Sequence, residues 1–374
     1  MPIFDVPLED LRRRTSIKWR RFEPDVLPMF VAEMDVHLAE PVAQRLQRAI
    51  VDGDTGYPEL PLYQEAFASF SQWMWGWEPD LEDMLLAGDV VSGMRELLLA
   101  TTEVGDPVVI NPAIYPPFRS ICLETGRPIL EVPMGDDDRL DLAGLEEAFA
   151  GGRGARPSAY LLCSPHNPHG TIHTRQELAA VAVLAARYGV TVISDEIHAP
   201  LAGPDHVPFT ALPGAERSFV VTSASKSWNL AGLKAALIIA GDEARSVLRS
   251  LPAHVPESVS HLGVLAHASA LNEARDWVLE LTQEIAANKT HFADELARLV
   301  PALSYTPSAG TYLAWLDCSA LGLASPAAQF HEVGRVRFGL GTDYDPHATQ
   351  HIRVNLGTSK QLITEGVLRM AASL

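Results

Sequence analysis

Three residues suited to carbonyl–amine chemistry recur along the middle of the chain, each after a short apolar run. They are Asn167 in "SPHNPHG", Asp195 in "VTVISDE" and Lys226 in "TSASKSWNLAGLK". A lysine amine condenses with an aldehyde once neighbouring charge and partial burial lower its pKa. A carboxylate keeps a pyridine nitrogen protonated, and a carboxamide donates to a ring oxygen. Those are the needs of an aldehyde cofactor such as pyridoxal 5′-phosphate (PLP), together with an aromatic lid and a phosphate cradle. Other residues suit the remaining posts. Tyr115 in "NPAIYPPF" can stack on a ring, Ser223 and Ser225 can donate to phosphate, and Lys234 adds positive charge. The turn "AGDVVSGMRELLLA" opens a helix near Val90 and Val91, whose free amides suit a phosphate. Taken singly each is ordinary: a surface lysine, a turn aspartate, an asparagine between prolines. Their shared placement, each on a different strand end, sets them apart.

The elements that must carry these residues follow from pattern. "AYLLCSP" (159–165) is an apolar run closed by proline. Thr174 followed by Glu177 is a capping box, which starts a helix expected to run to about Tyr188. Gly189 stands where a helix-ending glycine belongs. "VTVISDE" (190–196) and "SFVVTSAS" (218–225) read as further buried strands, and "DPVVINPAIY" (106–115) as a strand and loop upstream. Strands alternating with helices predict an α/β fold with an open, mostly parallel sheet, in which ligands bind beyond the carboxyl ends of the strands. Residues 276–299 read as a long amphipathic helix, "GTYLAWLDC" (310–318) and "HIRVNLG" (351–357) as strands, and a helix closes the chain. The expected division is a large domain over 46–275 and a smaller α+β domain built from 1–45 and 276–374.

A chain of 374 residues is long enough for two domains, and 47% hydrophobic content with 20% charged residues is that of a globular protein. A formal charge of −18 argues against nucleic-acid and anionic-membrane partners. The N-terminal "MPIFDVPLEDLRRR" lacks a secretory apolar region, no run reaches membrane-spanning length, and Cys122, Cys163 and Cys318 form no pairing pattern. Together these predict a cytoplasmic protein with three buried thiols. "TDYDPHATQH" (342–351) gathers Asp343, Asp345, His347 and His351. Pro346 interrupts any helix that would align them, so a solvated loop near the mouth of the site, with no metal, is expected. "GGRGARP" (151–157) reads as a linker loop, "GDDDRLD" (135–141) as an acidic turn before a helix, and "WMWGW" (73–77) as packing at a helix end.

"SPHNPHG", "ISDEIHAPL", "SASKSWNLAGLK" and "HIRVNLG" together resemble the successive motifs of fold-type I PLP enzymes, the aspartate aminotransferase superfamily. The likeness covers nearly the whole chain. "MFVAEMDVHLAEPV", "TGYPEL" and "GTYLAWLD" are similar to segments of its MalY/PatB-type β-C–S lyase branch, which includes cystathionine β-lyases. The resemblance implies Lys226 as the Schiff-base lysine, Asp195 as the pyridinium partner and Asn167 as the ligand of the ring oxygen. It implies Tyr115 as the stacking aromatic and places His198 where aminotransferases often keep a tyrosine. Tyr57 resembles the tyrosine that reaches the neighbouring subunit's phosphate, which implies a homodimer with shared sites. Arg353 resembles the arginine that grips the substrate α-carboxylate. Three positions depart from the pattern. Lys234 stands where many relatives have arginine, and Glu33 and Val36 replace an aspartate and an aromatic.

The activity so implied is β-elimination of sulfur-containing L-amino acids, such as cystathionine or cysteine conjugates, to pyruvate, ammonia and a thiol. The same anchors serve a class I/II aminotransferase, and some members of the branch also act as regulators that bind a transcription factor. Both readings stay open on the residues alone.

Overall fold

The computed structural model describes residues 2–374. Among these run the strands β1 (Leu27–Met29), β2 (Met84–Ala87), β3 (Val108–Ile110), β4 (Ile129–Glu131), β5 (Ala159–Cys163), β6 (Thr191–Asp195), β7 (Phe219–Thr222), β8 (Ala236–Ala240), β9 (Leu313–Asp317), β10 (Val336–Leu340) and β11 (His351–Asn355). Two compact units result. The larger is Leu38–His166 with Thr171–Val278, and the smaller is Met1–His37, Asn167–Gly170 and Leu279–Leu374. Residues 38–45 and 276–278, expected in the smaller domain, fall with the larger unit, and the Asn167–Gly170 turn falls with the smaller one. Residues 40–45 do so because they begin the helix Glu40–Asp52, whose Val42 joins the larger unit's core.

The larger unit is built on a seven-stranded sheet in the order β2-β8-β7-β6-β5-β3-β4. β8 runs antiparallel to both its neighbours, and the pairs from β7 through β4 are parallel. Both faces are buried, which explains why these strands read as continuous apolar runs instead of alternating ones. Successive side chains point to opposite faces: Tyr160, Leu162, Val192 and Val220 join one core, and Leu161, Ile193, Phe219 and Val221 the other. The helices start where the sequence says. Thr174 Oγ1 accepts the Glu177 N–H while the Glu177 carboxylate accepts the Thr174 N–H, and Gly189, at φ +72°, ends the helix Arg175–Tyr188. The helix Val90–Thr101 has a capping box of its own, between Asp89 and Ser92. "WMWGW" does cap a helix, Leu62–Trp75, with Trp75 and Trp77 packed against Phe67. The three cysteines are buried and unbridged.

The smaller unit holds a four-stranded sheet in the order β1-β10-β11-β9. Its core joins Ile352 and Val354 of β11 to Phe292 and Leu296 of the helix Arg275–Leu299, and to Ile363, Val367 and Met370 of the closing helix Lys360–Ala372. Each such aliphatic buried stabilises by about 1.5–3 kcal/mol. The alternation that sends Ile352 and Val354 inward turns His351, Arg353 and Asn355 to the other face. Arg353 there lies directly across from Trp315 of β9.

Candidate active site

In the larger unit the chemistry-bearing residues collect at the carboxyl ends of parallel strands. Asp195 is the last residue of β6, in register with Cys163 of β5 and Val221 of β7. It is buried, and its Oδ1 accepts the N–H of Ile197 at 3.0 Å. Burial pushes its pKa up to about 7; the charge of Glu196 adds to the rise, while the Ile197 N–H and the Lys226 charge oppose it. An aspartate this costly to ionise is suited to a cationic N–H donor, and a pyridinium nitrogen is one. The carboxylate beside it is already committed. Glu196 accepts from His206 at 2.8 Å, from Ser194 at 3.0 Å and from the Phe209 N–H at 2.9 Å.

Lys226 is half-buried on a turn that follows β7, and hydrogen bonds brace that turn along its length. Thr222 Oγ1 donates to Glu196 O at 3.1 Å, and Ser223 Oγ donates to Ala235 O at 2.7 Å. The Ala224 N–H donates to the hydroxyl of Tyr63 at 3.1 Å, and Trp228 Nε1 donates to Ala274 O at 3.1 Å. A rigid mount of this kind fixes where the amine can reach. Tyr63 went unnoticed in the sequence because it sits inside a helix 161 residues upstream of Ala224, with nothing local to mark it. The proton of Ser223 is spent on Ala235, and its oxygen accepts the Ser225 N–H at 3.2 Å, leaving the half-buried Ser225 as the more available hydroxyl.

Val90 and Val91 open the helix Val90–Thr101, where free amides and the helix dipole favour an anion. Lys234 does not stand alone there. Its Nζ pairs with Asp89 Oδ2 at 2.7 Å and is more than half exposed, so it chiefly offsets the negative charge of the cap. Tyr115 is half-buried in the loop after β3, and His198 is buried just past Asp195. Tyr57 is 88% exposed.

In the smaller unit, Arg353 is 4% exposed. Its Nη1 donates to Asn167 Oδ1 at 3.2 Å and its Nη2 to Phe30 O at 3.0 Å. The guanidinium lies 4.8 Å over the ring of Tyr344, and Nε is buried without a hydrogen-bond partner. Every one of these neighbours is neutral, and among the described residues no carboxylate pairs with the cation. Because Asn167 spends its oxygen on Arg353, its amide N–H groups remain as donors. The segment 342–351 is largely the exposed turn expected of it, and Tyr344 is the exception: it ends the short helix Gly341–Tyr344 and is buried. Its spacing from Arg353 carries no signal in the sequence.

The residues of the larger unit fit PLP: a lysine on a braced turn, a buried aspartate that needs a cationic partner, and hydroxyl and helix-amide donors for phosphate. The family model of class I and II aminotransferases matches residues 32–371. The chain belongs to the class I and II aminotransferase family. A Mycobacterium leprae protein, provisionally named a cystathionine beta-lyase, is 43% identical over 394 residues, spanning 100% of this chain and 98% of its own length. The cystathionine beta-lyase PatB of Bacillus subtilis is 31% identical over 96% of each chain. The crystal structure of a PLP-dependent β-cystathionase from Corynebacterium diphtheriae, itself a provisional assignment, superposes with a TM-score of 0.93 at 30% identity, over 99% of this chain and 98% of that one. These place the family member in the MalY/PatB-type branch and make it a fold-type I, PLP-dependent carbon–sulfur lyase. Among the described residues, no helix is long and apolar enough to cross a membrane.

Proposed function

We propose that the enzyme catalyses β-elimination of L-amino acids bearing sulfur on Cβ, cystathionine or cysteine conjugates, giving pyruvate, ammonia and a thiol. The observation that carries the amino-acid part of this reading is Arg353, a buried cation whose hydrogen-bond partners are neutral; the choice of β-elimination is supported by the likeness to cystathionine beta-lyases. An α-carboxylate supplies the missing anion in a planar, two-pronged form that matches the guanidinium. Lys226 would hold the cofactor aldehyde through Nζ, and the same amine would serve as the base for the Cα proton. Asp195 holds the proton on the pyridine nitrogen. Asn167 would donate to the ring oxygen and Tyr115 would cover the ring face, while His198, buried three residues past Asp195, stands where aminotransferases often keep a tyrosine. The amides of Val90 and Val91 with Ser225 and Ser223 receive the phosphate, and Lys234 supports them by neutralising Asp89. When bound, PLP supplies the electron sink for the pair left at Cα.

The same reading makes the working form a homodimer, with the exposed Tyr57 reaching the phosphate of a second copy. Size-exclusion mass measurement and loss of cofactor affinity in Tyr57→Phe test that part. The main test is a substrate panel on the PLP-loaded protein, with pyruvate and free thiol measured together and no keto acid supplied. Equal yields of both support the lyase. Glutamate formed stoichiometrically from added 2-oxoglutarate, without thiol, would assign an aminotransferase instead.

A further inference from the structure

The segment Phe30–Val36 contains the "FVAEMDV" motif, yet none of its side chains has a role in the reading above. It is pinned from two directions within the smaller unit. From β11, Arg353 Nη2 donates to Phe30 O, and Asn355 Nδ2 donates to the carbonyls of Val31 and Glu33 at 2.7 Å each. From the N-terminal residues, Arg14 Nη2 donates to Val36 O at 2.7 Å and Lys18 Nζ to Glu33 O at 2.9 Å. The Asp35 N–H donates to Gly357 O at 2.8 Å. At the centre, Lys18 Nζ and Asp35 Oδ2 form an ion pair of 2.8 Å whose side chains are 2% and 3% exposed. Trp19 Nε1 completes it with a bond of 3.1 Å to Asp35 Oδ1.

Full burial makes this pair a poor source of net stability, because the desolvation of both charges offsets their attraction. What it does supply is a single arrangement: neither charge can leave its partner without a large penalty. Phe30 O lies five residues before Asp35 on the clamped segment and is one of the two oxygens that aim Arg353. We propose that Lys18 and Asp35 are positioning residues for the substrate carboxylate, holding Phe30–Val36 in place so that the Arg353 fork keeps one orientation. The proposal rests on the reading of Arg353 as the carboxylate ligand.

The test replaces the pair by apolar residues of similar volume, Lys18→Met with Asp35→Leu, which leaves no unpaired buried charge. On PLP-loaded protein, KM for L-cystathionine should rise about tenfold or more while kcat stays within about twofold, since a small misplacement of an orienting group is costly. Cofactor absorbance and Tm should stay near wild type. Combined with Arg353→Lys, the pair replacement should add little further to KM, because both act through one guanidinium. A loaded variant with unchanged KM overturns the proposal, as does a KM effect that multiplies fully with that of Arg353→Lys. Should the double variant fail to fold, Trp19→Phe removes one bond to Asp35, and about a twofold to fivefold rise in KM is expected by the same reasoning; no change overturns the proposal. Arg353→Lys alone separates the two ideas: no rise in KM there defeats the carboxylate reading itself, whereas a rise there without one in the pair variant defeats only the strut.

Discussion

Truncating Arg353 to alanine is the sharpest perturbation of the substrate reading. The guanidinium is 4% exposed, so a carboxylate docked on it is screened little by solvent. Each charge-assisted hydrogen bond contributes about 1.5–3 kcal/mol. Two in a fork do not simply add, and losing one partner of a buried charge pair costs about 2–5 kcal/mol. That corresponds to a fall in kcat/KM of roughly 30-fold to several thousand-fold. Arg353→Lys keeps the charge but loses the fork and one bond, so about 10-fold to 100-fold is expected. Activity alone would not separate misfolding from lost recognition, so the assay compares L-cystathionine with its α-methyl ester at the reacting end, reading pyruvate after ester hydrolysis. Wild type should favour the free acid strongly, and Arg353→Ala should bring the acid-to-ester ratio close to one. If the alanine variant keeps the wild-type ratio while kcat/KM falls, the arginine does not read the carboxylate and the argument is refuted.

Lys226→Ala should release no thiol and should yield no reduced cofactor adduct on borohydride treatment and peptide mapping; an adduct on another lysine would move the anchor. Asp195 has a folded-state pKa above that of an unfolded aspartate, so the folded, PLP-free protein keeps a proton that the unfolded chain releases. Its contribution to stability is therefore full below about pH 4 and declines by on the order of 4 kcal/mol as pH rises to 7. Asp195→Asn should flatten that part of the pH profile of urea unfolding, and identical slopes for the two proteins would contradict it. Gly170, at φ +76°, ends the turn that carries Asn167, and a Cβ there would collide with Ser308 Oγ. Gly170→Ala should cost about 2–4 kcal/mol, from left-handed backbone strain and overpacking; a loss below about 0.5 kcal/mol in chemical denaturation would show the turn to be free.

What the sequence conveyed and what it hid divide along a physical line. Alternating β and α patterns located β5, β6 and β7 because a strand buried on both faces must be apolar throughout, and whatever polar residue follows then stands out at its carboxyl end. Asn167, Asp195 and Lys226 were visible for that reason. The helix starts at Thr174 and near Val90 were legible because caps and turn residues act within four residues of one another. The residues that aim these groups act across tens or hundreds of positions: Tyr63 on Ala224, Phe30 on Arg353, Lys18 on Asp35. None has a period or a local partner, so pattern cannot find it. Lys234 marks the boundary between the two kinds. Its charge was readable, but its destination was not, because the carboxylate that takes it lies 145 residues upstream, in the cap of the helix Val90–Thr101. The Lys18–Asp35 pair lies beyond that boundary altogether. Nothing near Lys18 in the sequence marks it, and only tertiary structure makes it a buried cation whose partner, Asp35, lies five residues along the chain from the carbonyl that accepts from Arg353. On the proposed reading, the aim of Arg353 is thus open to substitutions that a reading of motifs would pass as neutral.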